Sequence, residues 1–262
     1  MADNETGKSA EDDAEQETRK ILIKLSASRA KTFEQCPRKY YYLYLEQLPK
    51  KEWDHLELGT YVHAALETFH RSIRDGSKEP LRKLMGAAVG DAFKRMTDKG
   101  RSLPDEQLRE AKVMLSDYLV RIEEKGLPDV LEVEFPFTIP LNDMYDLTGV
   151  IDRIDRDLDG TLHIVDYKTS KSAKYMEPFQ LNTYGLLLES KYPGIKRFRA
   201  SYIMLKLGCQ PLSYEFTSDD IEKCRAKLIK YADRITSEER WLAKPGRLCD
   251  WCDFKDVCFN SW

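Results

Sequence analysis

The chain has 262 residues, 42% hydrophobic and 33% charged, enough for one sizeable core or two small ones. Its formal net charge is −3, so any affinity for DNA must come from local patches rather than from a broad positive field. No apolar run reaches about 18 residues, which leaves no candidate membrane span.

Residues 1–20 carry seven acidic and three basic side chains and no large apolar residue beyond Met1, which predicts a disordered acidic leader. The remaining residues, 21–262, hold 39 basic against 38 acidic side chains. The N-terminus lacks a basic-then-apolar signal, which predicts a cytoplasmic chain with reduced thiols. Ile21–Leu25 is a short apolar run, and Ser26 and Ser28 offer N-caps for a helix carrying Ala30 and Phe33. Cys36-Pro37 interrupts it, and Arg38-Lys39-Tyr40-Tyr41-Tyr42-Leu43-Tyr44 resumes the helical pattern. Those tyrosines either pack on the core, the favoured reading, or stack on nucleic-acid bases.

From Leu58-Gly59-Thr60 a helix carries Val62, Ala65, Leu66, Phe69 and Ile73 on one stripe, with His63, Glu67 and His70 on another face. Two further helices are predicted over 81–100 and 104–126, with Gly100 and Gly126 as stops. Leu131, Val133, Phe135, Phe137 and Ile139 alternate with Glu132, Glu134, Pro136 and Thr138 as a half-buried strand.

Next come Gly149-Val150-Ile151-Asp152-Arg153-Ile154-Asp155 and His163-Ile164-Val165-Asp166-Tyr167-Lys168-Thr169, read as two strands joined at Asp159-Gly160. In the second, Leu162, Ile164, Asp166 and Lys168 share one face, so two charges follow two apolar residues into the protein. The hairpin can bring Asp152 close to both. Two carboxylates and a lysine at a half-buried strand end suit a divalent-metal phosphodiesterase, because hard oxygen ligands hold Mg²⁺ while the lysine positions water. A surface hairpin with ordinary charges fits this short pattern as well. Asp155 reads as a turn residue, with a supporting role at the site as the alternative.

Gln180 and Tyr184 lie four apart in a predicted helix and face the same way. A strand over Tyr202–Leu207 turns through Gly208–Pro211 into Leu212, Tyr214 and Phe216. Thr217 and Ser218 then cap a helix whose stripe is Ile221, Cys224, Leu228, Tyr231 and Ile235. Cys224 is expected buried, and Cys209 reads as a loop thiol. The chain ends in Cys249-x₂-Cys252-x₅-Cys258, three thiols that want a fourth ligand. Cys36 is the natural candidate, and spacing leaves zinc and [4Fe–4S] both open.

Cys36-Pro37 after Ser28–Gln35, then Gly59–His63, Gly149–Asp155, Asp166-Tyr167-Lys168 and Gln180-x₃-Tyr184, occur in an order that resembles the RecB-type branch of the PD-(D/E)xK nucleases. The cysteine set resembles its iron–sulfur subgroup, which includes AddB-type nuclease domains, CRISPR-associated four-cysteine exonucleases and stand-alone phage relatives. Ile151 stands where the proline of the superfamily name would be, as is usual in this branch. The resemblance implies an α/β, restriction-endonuclease-like mixed sheet flanked by helices, with a helical N-terminal part. It implies a single nuclease domain over 21–262, a helical insertion over 76–127, and a cluster segment formed by residues 36 and 249–258.

By the same resemblance, His63, Asp152, Asp166 and the Tyr167 backbone carbonyl would hold Mg²⁺ or Mn²⁺. Lys168 would activate water, and Gln180 and Tyr184 would support the site or touch DNA. Cys36, Cys249, Cys252 and Cys258 would bind [4Fe–4S], with structural Zn²⁺ as the alternative. The expected activity is a metal-dependent DNA exonuclease, possible also as an endonuclease, acting on single-stranded ends in recombination, repair, replication or CRISPR spacer processing. The implied partners are DNA ends and recombination or CRISPR-adaptation proteins, in a bacterial cytoplasm or that of a phage host. Two other classes stay open: a DNA-end-binding subunit of a larger recombination complex, and a zinc-stabilised regulatory protein.

Overall fold

In a computed structural model, residues 22–51, 54–174 and 176–259 are described; the acidic leader expected over 1–20 lies outside them. Strand β1 (Ile23–Leu25) leads into helix α1 (Ala27–Gln35), where the Ser26 hydroxyl accepts from the Arg29 amide and caps the first turn. Cys36 is extended, and Pro37 starts helix α2 (Pro37–Tyr40), which continues as a π-helical turn over Tyr41–Leu45. Helices α3 (Asp54–Arg74), α4 (Leu81–Thr97) and α5 (Asp105–Lys125) follow, the last stopped by Gly126. Strand β2 (Asp129–Pro140), the hairpin β3 (Tyr145–Arg156) and β4 (Leu162–Lys168), helix α6 (Phe179–Lys191), and strands β5 (Arg197–Met204) and β6 (Gln210–Thr217) come next. Helix α7 (Ser218–Thr236) opens with a capping box between Thr217 and Asp220, and helix α8 (Lys255–Phe259) lies near the end.

The strands form one mixed sheet in the order β1-β3-β4-β5-β6, with β2 on the other edge of β3. Gly160, at φ +80°, makes the β3–β4 turn. From there the antiparallel ladder runs to Arg153 opposite Val165, and the two strands then part. Beyond the fork, β1 pairs in parallel with Tyr145–Leu147 of β3. Strand β5 runs parallel to β4 along its whole length.

Side chains alternate across the sheet, so each face builds its own core. Ile164, Ala200, Tyr202 and Met204 pack with α1, α6 and α7, including the buried Cys224. Val165, Tyr167 and Ile203 pack instead with α3, α4 and α5. The sheet is thus covered by helices on both faces, the α/β arrangement expected from the resemblance.

Two local expectations need correcting. Leu205–Leu207 is a 3₁₀ turn rather than the end of a strand. Cys209 lies in the turn that follows, as expected, and is fully buried there, with Sγ 3.9 Å from the Met114 carbonyl on α5, because the turn folds down onto that helix. Burial pushes its thiol up to about 11. Asp155 is a buried strand residue, not part of the turn.

The tyrosine run divides. Tyr40 and Tyr42 are buried, Tyr40 stacked on Trp241 and Tyr42 packed against Phe254. Tyr41 and Tyr44 stay half-buried.

Candidate active site

The fork between β3 and β4 brings the charged residues together. Asp152 lies just past the last paired rung, and its Oδ2 accepts from the Tyr167 amide at 2.8 Å. Side-chain alternation slips here. Ile151 and Ile154 both face the α1/α6/α7 core, while Arg153 turns to the opposite face.

Helix α3 presents His63 with Nδ1 3.4 Å from Asp152 Oδ2. Burial works against the His63 imidazolium, but the hydrogen bond and charge of Asp152 outweigh it and raise the pKa. On β4, Asp166 is buried and ion-paired with Lys168 at 2.5 Å. Helix α6 supplies Gln180, whose Nε2 donates to Asp166 Oδ1 and to Tyr184 Oη, both at 2.9 Å. Burial, then the nearby Asp152 charge, pushes Asp166 up to about 6, against the pull of Lys168. Gly149 clears the space behind, since a Cβ there would lie 2.9 Å from the Phe137 ring. That ring packs edge-on against Tyr184.

The sequence reading missed Glu134. Its alternation with Val133 and Phe135 placed it on the solvent side of a strand. The register instead sets it across from Asp152, between the pairs Val133–Arg153 and Phe135–Ile151. Ligand atoms of His63, Glu134 and Asp152 all lie within 4.8 Å of one another. Burial and the Asp152 charge push Glu134 up to about 7. Its φ of +46° is strained for a residue with a Cβ, at a cost of about 1–3 kcal/mol, as often found at functional sites. The only sequence signal was its place opposite Asp152 once the strands are paired. Asp166 is not in this trio, its carboxylate being turned to Gln180 and Lys168.

The trio opens into a cavity of about 480 Å³ whose rim includes Arg95, Lys99 and Arg101 from α4 and the segment after it. Arg95 pairs with Glu67 and Asp91, and Arg101 with Glu57.

Behind the fork lies a buried polar network. The Arg153 guanidinium donates to Asp155 Oδ2 through Nε and Nη2, at 3.0 and 2.8 Å. Its Nη1 donates to the hydroxyls of Tyr118 and Tyr167, each at 2.6 Å, and lies 2.7 Å from His70 Nε2. Burial, together with Arg153, pushes His70 well below its usual pKa and keeps it neutral. His70 therefore departs from His63: one ring faces the cavity, the other is locked in the core.

At the far end of the chain, Cys36, Cys249, Cys252 and Cys258 line one cavity of about 340 Å³ together with Arg38 and Lys39. Backbone amides of Lys244 and Gly246 donate to the sulfurs of Cys36 and Cys249, each at 3.4 Å. Trp251 stands 71% exposed beside them.

The β3–β4 fork of the mixed sheet thus gathers Asp152, Asp166 and Lys168 in one place. The sequence model of the PD-(D/E)XK nuclease superfamily matches residues 24–259, and the chain belongs to that superfamily. One relative is a subunit of the ATP-dependent helicase/deoxyribonuclease of Streptococcus agalactiae, 25% identical over 244 residues, covering 86% of this chain and 22% of that protein. The corresponding Streptococcus mutans protein is 28% identical over 208 residues, covering 73% of this chain and 17% of its own length. The chain thus spans about a fifth of the curated relatives it matches. A crystal structure of a candidate exonuclease from Eubacterium rectale has the same fold, with a TM-score of 0.56 at 14% identity over 95% of this chain and 93% of that one.

Proposed function

We propose that the chain is a metal-dependent DNA exonuclease that hydrolyses phosphodiester bonds and prefers single-stranded ends. The observation that carries this reading is the meeting of His63, Glu134 and Asp152 beside the Asp166–Lys168 pair at the β3–β4 fork. The donor set fits a divalent cation, since it is mostly hard oxygen and burial beside the Asp152 charge makes the Glu134 anion costly without a counter-charge. His63, Glu134 and Asp152 would hold Mg²⁺ or Mn²⁺, with Asp166 and the Tyr167 carbonyl as the further ligands the resemblance implies. When bound, such an ion polarises the phosphate and lowers the pKa of a coordinated water.

The protein's own groups supply the rest. Lys168 holds an ammonium at the cleavage point, where it orients the attacking water and offsets charge gathering on the phosphate oxygens. Asp166 keeps Lys168 in place, and Gln180 with Tyr184 fixes Asp166. The preference for single strands rests on the near-neutral body, which lacks a field for duplex, and on exposed Trp251 as a stacking surface.

The four-cysteine cavity fits a [4Fe–4S] cluster that ties residue 36 to the 249–258 segment. Four thiols line it and amides already donate to two of the sulfurs. A single zinc ion held by the same four thiols is the alternative, and the resemblance favours iron.

A second reading is a DNA-end-binding subunit of a larger recombination complex, favoured by the helicase-subunit names of relatives several times longer. Recombination, repair, replication and CRISPR adaptation in a reducing cytoplasm are the settings these readings share. Digestion of labelled single-stranded and blunt duplex DNA, with Mg²⁺, Mn²⁺ or chelator and a label at either end, tests both. Metal-dependent shortening of single strands is expected. Tight end binding without cleavage in Mn²⁺ would assign the second reading.

A further inference from the structure

We infer that a second cavity, of about 290 Å³ and on the other flank of the fork, is a nucleotide subsite that takes a nucleoside monophosphate unit of the strand next to the cleaved bond. This deepens the nuclease reading above and rests on it. The two cavities share no residue. The one beside the metal-ligand trio is built from α3, α4, β2 and β3, whereas this one is built from α1, β4, α6, β5 and the segment before α6. Asp152 lines the first and Lys168 the second, so a strand crossing the fork passes from one to the other.

The lining suits both ends of a nucleotide. Lys31 and Ser28 stand exposed on α1 at its mouth, and among the described residues no carboxylate pairs with Lys31. An ammonium and a hydroxyl at one edge are donors for a phosphate. Met176 and Phe179 give half-buried apolar walls, and the buried Tyr202 closes the floor with the Lys168 ammonium 5.2 Å from its ring centroid. Such walls accept a base by stacking without reading its identity. Glu177 also lines the cavity, and its backbone carbonyl accepts from the Tyr202 hydroxyl at 2.8 Å. The cation that faces the phosphate is therefore Lys31, while Lys168 is committed to Asp166 and the cleaved bond.

The test uses the full chain with Mn²⁺, an oligothymidylate substrate, and deoxythymidine 5′-monophosphate (dTMP) and inorganic phosphate as competitors. In the unmodified chain, dTMP should compete with substrate, and more strongly than inorganic phosphate. Lys31→Glu should raise both KM and the dTMP inhibition constant about tenfold, the loss of one charge-assisted contact, and Lys31→Arg should restore them. Lys125→Glu, an equal charge change at the end of α5, should move neither. Unchanged KM and dTMP inhibition in Lys31→Glu would overturn the subsite, and equal competition by phosphate would remove the base-binding walls from it. If the unmodified chain cleaves no DNA, the nuclease reading fails by itself. Calorimetric titration of dTMP then decides the subsite alone: binding lost in Lys31→Glu supports it, and equal or absent binding in both proteins overturns it.

Discussion

Asp152 Oδ2 lies 2.8 Å from the Tyr167 amide nitrogen, across a point where β3 and β4 have already parted. A carboxylate stands in for the missing ladder rung, so one side chain closes the fork and also faces His63. Its neighbours divide the remaining work, Asp166 to Lys168 and Gln180, Glu134 to the trio.

Removing any of these charges is expected to cost catalysis more than folding. Asp152→Ala, Asp166→Ala and Lys168→Ala should each lower the cleavage rate by about 10² or more, typical of groups that act on the transition state. Single-turnover digestion of a labelled oligonucleotide, with circular dichroism as the folding control, checks this. A wild-type rate in Asp166→Ala would take Asp166 out of the site.

His63 and Glu134 should set metal affinity. His63→Ala and Glu134→Gln are each expected to shift the Mn²⁺ concentration for half-maximal rate upward, by about tenfold for the loss of one ligand. If His63 is only a packed helix residue, its removal should lower the melting temperature and leave the Mn²⁺ titration where it was. The same titration on Glu134→Gln separates a ligand from a bystander.

The raised carboxylates make stability depend on pH in a stated direction. Asp166 is pushed up to about 6 and Glu134 up to about 7, whereas both titrate near 4 in an unfolded chain. Between about pH 4 and pH 7 the folded state keeps protons that the unfolded state has released, so stability falls as pH rises through that window. The effect is of order 1–3 kcal/mol, carried mainly by buried Asp166 and discounted for the less buried Glu134. His70, kept neutral by burial, titrates in the opposite sense, so the carboxylates are read by difference. In chelator-treated protein, Asp166→Asn and Glu134→Gln should each lose less stability between pH 5 and pH 7 than the unmodified chain, and Mn²⁺ should narrow that gap. An equal pH dependence in the variants and the unmodified chain would contradict the assignment of these groups.

The hairpin was legible because period-two alternation set Leu162, Ile164, Asp166 and Lys168 on one face, and Gln180–Tyr184 because a four-residue step returns to the same side of a helix. Glu134 was hidden because alternation reports two faces of a strand, and its importance depends on which residue of the partner strand lies opposite. The register shift between Val130 and Glu132 cannot be seen before the strands are paired. Asp155 misled for a different reason. An acidic run ending in Asp159-Gly160 looks like one solvated turn, but its first member is needed inside as counter-charge to Arg153. Cys209 was legible as a turn residue between Gly208 and Pro211, but its burial depends on the docking of that turn on α5.

The Arg153–Asp155 pair should prove costly to break and cheaper to replace. Arg153→Met leaves Asp155 buried without its cation and strips donors from Tyr118 and Tyr167, at an expected cost of about 3–5 kcal/mol. Replacing both, as Arg153→Met with Asp155→Leu, should recover part of that loss, because no uncompensated charge remains. Urea unfolding of the two single variants and the double variant measures the coupling. Simple additivity would mean that the two groups do not stabilise each other.

The four-cysteine site should act as a staple for the segment around it. The segment 247–258 is a 3₁₀ turn and a short helix with Leu248, Trp251 and Val257 exposed, and among its apolar residues Phe254 is buried. Fixing its backbone costs about 1–2 kcal/mol per residue, more than one buried ring returns. A cross-link from Cys36 across 213 residues to Cys249 closes a very long loop and constrains the unfolded chain strongly, as a disulfide of that span would. Protein prepared without oxygen should be brown and carry about four irons per chain. Cys36→Ala should lose the colour and make residues 247–258 sensitive to protease, whereas Cys209→Ala and Cys224→Ala, buried on opposite faces of the sheet, should keep the colour. A colourless, active protein with one zinc per chain would replace the cluster by a zinc site and leave the four-thiolate staple standing. A protein with neither metal but an ordered C-terminal segment would remove the staple altogether.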